Sequence, residues 1–307
     1  MTQPRRILKG ATYLVTRRCV DRRFLLTPRG KVPDLLAYAF AKAAKTHGVQ
    51  VHCAMTMPNH WHSLITDPNG VIDKFSRDCN SLGARSINAH YGRSESLWSS
   101  QGLSLVRVEH PEDVMDKLVY ATMNPVKAGL VDHPADMPGF RTLPSAALRK
   151  PRVIKRPKTS FYSNSKLPDE VELEITVPPH FAHLGKEAFV RQYEERVNGE
   201  VEALRAERKR EGRSVMGAYK LLRQRRDGRP ETREIWRSRD PVLACKNKEL
   251  RLKAIARERM FRRDYRDAWK RQAAGEEGVL FPAGTLLMVR LHGAFCERAP
   301  PIVHQAA

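Results

Sequence analysis

Cysteine is scarce in this sequence, and none of the five cysteines has the paired spacing of a zinc site or a disulfide framework. Because they are scattered and odd in number, we interpret them as reduced thiols of a cytoplasmic protein. They are Cys19, Cys53, Cys79, Cys245 and Cys296. The sequence also lacks an apolar run of about 18 residues, a signal-peptide core, internal repeats and sustained heptads. We therefore expect neither a membrane protein nor a secreted disulfide scaffold.

Acidic residues are few relative to basic ones. The 307 residues include 55 Lys and Arg against 34 Asp and Glu, a formal net charge of +21. Such an excess implies a polyanionic partner, and nucleic acid is the commonest. A membrane surface could attract the same charge, but the missing apolar run gives that alternative no support.

Strand and helix patterns alternate in the first half of the chain. The predicted strands cover residues 11–17, 50–57, 60–66 and 104–109, and the predicted helices cover 34–47, 71–90 and 111–123. This order, β-α-β-β-α-β-α, predicts an α+β fold with a ferredoxin-like antiparallel sheet and helices on one face. The strand over 60–66 is expected in the middle of that sheet, with the last helix lying across it.

We predict one domain over residues 1–145, followed over 146–307 by a basic linker and a mainly helical basic extension. The extension has helical patterns at 186–211 and 246–272 and a strand-like apolar run at 285–291. The second helix is rich in arginine: Arg257, Arg259, Arg262, Arg263, Arg266 and Arg271. These side chains could contact phosphates, and a solvated helical face fits them as well.

A histidine pair stands in the segment Met57-Pro58-Asn59-His60-Trp61-His62. Since side chains alternate along a strand, His60 and His62 are expected on one face and Trp61 on the other. Two neutral imidazoles side by side provide two ligands for a divalent metal. The pair alone fits ordinary hydrogen-bonded histidines equally well.

A tyrosine and an asparagine lie one helical turn apart in the helix predicted after His110. Tyr120 and Asn124 share one edge of that helix, which we expect to end at Pro125 because proline disfavours its continuation. A tyrosine hydroxyl can be a covalent nucleophile in phosphoryl transfer, and an amide oxygen can be a third metal ligand. A core or boundary aromatic is the alternative for Tyr120.

These two segments together resemble the single-tyrosine HUH transposases, and among them the REP-associated tyrosine transposases. The family has a histidine–hydrophobic–histidine strand after Met-Pro-Asn, and a helix with Tyr followed by Asn-Pro-Val-x-Ala-Gly-Leu-Val. The second motif stands here as Tyr120 to Val131, and the segments 10–18 and 281–285 are also similar to the family. Trp61 replaces the more usual aliphatic residue between the histidines. The resemblance is strong to about residue 144 and looser beyond it.

The resemblance implies metal-dependent cleavage and rejoining of single-stranded DNA at hairpin-forming REP-type repeats. Tyr120 would be the nucleophile and form a 5′-phosphotyrosine. His60, His62 and Asn124 would hold the metal, which we expect to be Mg²⁺ or Mn²⁺. We expect single-stranded or hairpin DNA as the partner, no membrane, a cytoplasmic location, and a monomer or homodimer.

Four arginines, Arg17, Arg18, Arg22 and Arg23, follow the first predicted strand. They could contact the DNA hairpin or its flank, and a solvated loop is an equal alternative.

Three other functions compete with transposition. The first is a non-cleaving, sequence-specific DNA-binding protein derived from a transposase. The second is a histidine-triad phosphohydrolase or nucleotidyl transferase, which would need a third histidine where Leu64 stands. The third is a replication initiator or relaxase with the same chemistry, in which the motifs are arranged differently. The sequence does not decide which DNA sequence is the target. It also does not decide between a mobile transposase and a resident enzyme that processes chromosomal repeats.

Overall fold

One β-sheet with a hydrophobic layer on each face organises the protein. The computed structural model describes residues 4–232, 241–299 and 302, so residues 233–240 and the end of the predicted extension lie outside the described residues. The strands are β1 (Ala11–Arg18), β2 (Gln50–Met57), β3 (His60–Asp67), β4 (Ser104–Val108), β5 (Arg141–Thr142), β6 (Arg152–Lys155), β7 (Glu170–Leu173), β8 (Leu243–Ala244), β9 (Leu280–Phe281) and β10 (Phe295–Cys296). The α-helices are α1 (Val32–His47), α2 (Ile72–Tyr91), α3 (Pro111–Lys127), α4 (Gly185–Arg210), α5 (Gly217–Leu222), α6 (Lys248–Ala273) and α7 (Leu286–His292).

The main sheet has six strands in the order β5-β2-β3-β1-β4-β8. Strands β2, β3, β1 and β4 pair in antiparallel fashion with their neighbours, and only Pro58 and Asn59 join β2 to β3. This places the histidine-bearing strand in the interior of the sheet, as predicted. The sheet is mixed rather than purely antiparallel, because β8 joins the edge strand β4 in parallel. Strand β8 comes from the C-terminal part of the chain, and its pairing was not predicted.

Helices cover both faces of the sheet, so the prediction of helices on one face is wrong. The helices α1 and α2 pack on the face that carries Tyr13, Val15 and Trp61. Helix α3 packs on the opposite face, against Leu14 and Leu64. The sequence pattern shows only that each helix has an apolar side, and both faces of these strands carry apolar residues that need cover.

The residues after 145 pack against those before it. Helix α4 contributes Phe189, Tyr193 and Val197 to the same hydrophobic cluster as α3. Strands β6 and β7 form a hairpin whose buried Ile154 and Leu173 belong to the cluster under α1. The basic linker predicted after residue 145 thus contains a strand, β6, with a buried residue, Ile154.

Two local predictions differ from the structure. Helix α3 continues through Pro125 to Lys127, since a proline so near the end removes only one late helical hydrogen bond. The run at 285–291 is the helix α7 and not a strand, because an uninterrupted apolar run has no period that separates strand from helix. In the described parts of the chain, no helix is both long and apolar enough to cross a bilayer.

Candidate metal and nucleophile site

The histidine pair of β3 forms the floor of the site. The ring centroids of His60 and His62 lie 4.7 Å apart, with an interplanar angle of 87°. Trp61 points to the other face, where its ring centroid is 5.8 Å from that of Phe40. Strand alternation therefore separates a packing residue from two imidazoles that share one surface.

Hydrogen bonds fix the orientation of both imidazoles. His60 Nδ1 lies 2.6 Å from Asn59 Oδ1, and because an amide oxygen only accepts, Nδ1 carries the proton and Nε2 keeps its lone pair. His62 Nδ1 lies 2.7 Å from the hydroxyl of Thr16, which is its register partner on β1. Metal-binding histidines usually have such a partner on their second ring nitrogen.

The other nitrogen of His62 has no protein partner. Among the described residues, His62 Nε2 is buried without a hydrogen bond. Buried polar atoms are rarely left unsatisfied, and a missing ion is one of the recognised explanations. A divalent metal fits these residues, because it would bind the unpartnered Nε2 of His62 beside the Nε2 of His60.

Both histidines are held neutral. Burial, followed by the charges of Arg18 and Arg22, lowers the pKa of His60 to about 3. Burial, followed by His60 and Arg18, lowers the pKa of His62 well below its usual value. Neutral imidazole is the form that coordinates metal, so no proton has to leave at neutral pH.

Helix α3 brings Tyr120 to the histidine pair. The ring centroids of Tyr120 and His62 are 5.7 Å apart in an edge-on arrangement. Tyr120 keeps 40% of its surface exposed, although the helix around it is largely buried. It is therefore not a core aromatic, whereas a boundary aromatic, the other part of the alternative that the sequence allowed, fits this exposure.

Asn124 lies one turn after Tyr120 on α3. Its Nδ2 donates to the backbone carbonyl of Tyr120 at 2.7 Å. The oxygen Oδ1, which could bind a metal, makes no hydrogen bond among the described residues. The described residues contain no group of three or more His, Cys, Asp and Glu side chains that could hold a metal. A metal here would take the two imidazoles and non-protein ligands, and the amide oxygen of Asn124 is the third protein ligand that the family resemblance implies.

Three residues of the site were not predicted from the sequence. Thr16 and Asn59 orient the histidines as described above. Lys117, one turn before Tyr120, places its Nζ 5.4 Å from the centroid of the tyrosine ring. Its spacing of three residues from Tyr120 was a readable signal, since residues three apart are neighbours on a helix. Thr16 gave no such signal, because its role depends on the pairing of distant strands.

The four arginines expected to contact DNA do not lie together. Arg18 and Arg22 are near enough to the histidines to lower the pKa of His60. The guanidinium of Arg22 also donates to the backbone oxygen and the hydroxyl of Thr232. Arg17 lies on the opposite face, 5.8 Å from the ring of Trp98, and Arg23 forms an ion pair with Asp21 at 3.7 Å.

Comparisons with known proteins give structural likeness only. None of the protein-family profiles matches the chain, and no curated protein matches in sequence. The chain is similar to the structure of a REP-associated tyrosine transposase bound to a REP hairpin, with 23% identity and a TM-score of 0.41 over 48% of this chain and 87% of that one. It is also similar to a candidate transposase from Deinococcus radiodurans, with 18% identity and a TM-score of 0.27 over 34% of this chain and 85% of that one.

Proposed function

We propose that the protein cleaves and rejoins single-stranded DNA at hairpin-forming repeats, as a single-tyrosine HUH transposase of the REP-associated type. The observation that carries the proposal is the position of Tyr120, an exposed phenol whose ring lies 5.7 Å from that of His62. Beside it stand two neutral imidazoles with lone pairs to share. A nucleophile beside a metal-binding pair is what strand cleavage without hydrolysis requires.

The cleavage step forms one bond and breaks one. Tyr120 Oη attacks the phosphorus of the scissile phosphodiester and gives up its proton. A bond forms between Oη and phosphorus, the bond from phosphorus to the 3′ oxygen breaks, and that oxygen leaves as a hydroxyl after taking up a proton. The product is a 5′-phosphotyrosine with a free 3′-hydroxyl. Attack by another 3′-hydroxyl reverses the step and rejoins the strand, so neither water nor ATP is consumed.

The residues that would hold Mg²⁺ or Mn²⁺ are His60, His62 and Asn124. The ion would supply polarisation of the scissile phosphate and stabilise negative charge in the transition state. Thr16 and Asn59 fix the two imidazoles in advance, so that the ligands need little reordering on binding. Lys117 adds a fixed positive charge on the tyrosine side of the site.

Recognition of the DNA is expected from groups outside the metal site. Arg18 and Arg22 lie on the histidine side and can meet the phosphates that flank the cleavage point. Base-specific reading of an unpaired strand needs stacking surfaces and free base edges. The alternative to cleavage is a DNA-binding protein that keeps the same scaffold, and the next experiment separates the two.

The test is covalent capture on the full-length protein. An oligonucleotide that carries a REP-type hairpin with unpaired flanks is incubated with the protein and Mn²⁺. We expect an adduct that survives denaturation and that mass spectrometry maps to Tyr120. The Tyr120→Phe variant should lose the adduct and keep hairpin binding, because only one hydroxyl is removed.

A matched control is Tyr219→Phe, which removes the hydroxyl of another exposed tyrosine, 66% accessible, and should keep the adduct. Cleavage without an adduct would indicate a histidine-based hydrolase. Binding without cleavage would indicate the non-cleaving DNA-binding protein. An adduct retained in Tyr120→Phe would refute the assignment of the nucleophile.

A further inference from the structure

One face of helix α6 carries a row of basic side chains with no acidic residue in it. At 3.6 residues per turn, Lys248, Arg251, Arg259, Arg262, Arg266 and Lys270 line one side of the helix. Leu252, Ile255 and Trp269 stand between them, and each is exposed by 36–56%. We call this surface the α6 basic face.

The structure separates these side chains from the other basic residues of the same helix. Arg257 pairs with Glu109, Lys253 with Glu249, and Arg271 with Glu276. By contrast, the described residues offer no acidic partner to Arg259, Arg262, Arg266 or Lys270. The charges of the basic face are therefore uncompensated within the described protein, whereas the remaining sides of the helix are largely neutralised.

The side of α6 next to the basic face is anchored, which holds the basic face in place. Glu258 is buried and accepts from Arg107 Nη2 of β4 at 2.7 Å. Arg6 lies 3.6 Å from the same carboxylate and 5.4 Å from the ring centroid of Phe261. Buried Ala254, Phe261 and Ala268 complete the anchored side. A charged row on a rigid support loses little conformational entropy when it binds.

We propose that the α6 basic face is a second nucleic-acid site that binds the phosphate backbone of duplex DNA without sequence preference. Four of its six charges are guanidinium groups, which match phosphate oxygens in bidentate geometry. A helix of 26 residues is about 39 Å long, a little more than one turn of the double helix at about 34 Å. A straight, rigid row of that length suits a stiff duplex better than a flexible single strand.

The proposed duplex-binding site on the α6 basic face is separate from the proposed cleavage site and does not depend on it. Strands β1 and β4 separate the histidines from β8, the strand that leads into α6. The face would hold double-stranded DNA next to the place where a single strand is cut. Its existence can be tested even if Tyr120 proves not to be a nucleophile.

The test is duplex binding by full-length charge-reversal variants. The probe is a fluorescein-labelled 30-base-pair duplex without palindromes, followed by anisotropy across a series of salt concentrations. Arg259→Glu with Arg266→Glu should weaken binding about tenfold or more and lower the salt slope by about 2, since each phosphate contact contributes about 0.9 to it. The matched control, Lys253→Glu with Arg271→Glu, makes the same charge change on the same helix and should weaken binding less than threefold.

Three results would overturn the proposal. Equal weakening by the two double variants would leave only the net charge as the cause. Unchanged binding in Arg259→Glu with Arg266→Glu would remove the site. Loss of binding to vesicles of phosphatidylserine and phosphatidylcholine, with duplex binding intact, would assign the face to an anionic membrane. Adduct formation at Tyr120 on a minimal hairpin oligonucleotide should persist in both variants, so the two proposals fail separately.

Discussion

The two ring nitrogens of His62 have different roles. Nδ1 is engaged by the hydroxyl of Thr16 at 2.7 Å, while Nε2 is buried with no partner among the described residues. The first contact fixes the orientation of the ring, and Nε2 is the atom that the proposed metal would bind. The proposed metal site thus depends on Thr16 as well as on the histidines.

Thr16→Val should weaken metal binding with little effect on the fold. Valine matches threonine in shape but cannot bond Nδ1, so the ring loses its orientation. Loss of such a partner costs about 10–100-fold in metal affinity, which isothermal titration with Mn²⁺ can measure. Thr12→Val is the control, because Thr12 lies on the same face of β1 but bonds Thr66 at 2.7 Å, away from His60 and His62. Equal losses in both variants would show a general effect on the sheet.

Lys117→Met should slow covalent adduct formation about tenfold while leaving hairpin affinity within about threefold. The side chain keeps its length but loses the charge that lies 5.4 Å from the Tyr120 ring centroid. A tenfold change corresponds to about 1.4 kcal/mol in the barrier, a plausible size for one partly exposed charge. Single-turnover kinetics measure the rate. Lys127→Met on the same helix removes a charge already paired with Glu200 at 2.8 Å and should change the rate little.

At the scale of helices and strands, the sequence was sufficient to predict an element where a turn marked its end or where its apolar residues recurred with a clear period. The strands β2 and β3 were predicted as separate because Pro58 and Asn59 divide two apolar segments, and α1 was predicted because its apolar positions recur with helical spacing. Pro125 misled the prediction, since proline disfavours but does not forbid one more turn. The apolar run at 285–291 had no period to separate strand from helix.

The candidate site was predictable to the extent that its residues are close in sequence. His60 and His62 share a strand, and Tyr120 and Asn124 share a helix turn. The meeting of these two pairs was expected from the predicted fold, in which the last helix lies across the histidine strand, and from the family resemblance. The contact of Thr16 with His62 spans 46 residues and follows from strand register, which the hydrophobic pattern of β1 does not determine by itself.

Phe189→Ala tests whether α4 belongs to the core. Phe189 is completely buried, and its ring centroid lies 5.4 Å from that of Phe181. Truncating a buried phenylalanine costs about 3–5 kcal/mol, so the urea midpoint should fall sharply. Tyr219→Ala removes an aromatic ring that is 66% exposed and should stay within about 0.5 kcal/mol of the parent. A small effect of Phe189→Ala would mean that α4 adds little to stability.

At the scale of the whole molecule, the C-terminal half of the chain packs against the rest in two places, one in the hydrophobic core and one at the edge of the sheet. Helix α4 completes the hydrophobic cluster over α3. Strand β8 and helix α6 join at the edge, through pairing with β4 and the ion pairs of Glu258. The division at residue 145 remains a prediction about function, and it does not follow the packing of the side chains.

Two shortened chains should therefore behave differently. A chain that ends at Ala147 loses Phe189, Val190, Tyr193, Val197 and Val201, which are all buried against the α3 side of the sheet. At about 1.5–3 kcal/mol for each large apolar side chain, the loss is about 10 kcal/mol, comparable with the whole stability of a typical domain. We expect this chain to show no cooperative thermal transition and to aggregate.

A chain that ends at Thr232 keeps that cluster and loses α6 with the buried ion pair between Arg107 and Glu258. The side chain of Arg107, still paired with Glu109, can then reach water at the sheet edge. It should melt cooperatively at a lower temperature and still form the Tyr120 adduct on a minimal hairpin, with weaker binding to duplex DNA. Calorimetry and near-UV circular dichroism on both chains measure the difference. Cooperative melting of the chain that ends at Ala147 would show that residues 1–147 fold alone and that α4 is an accessory to a complete domain.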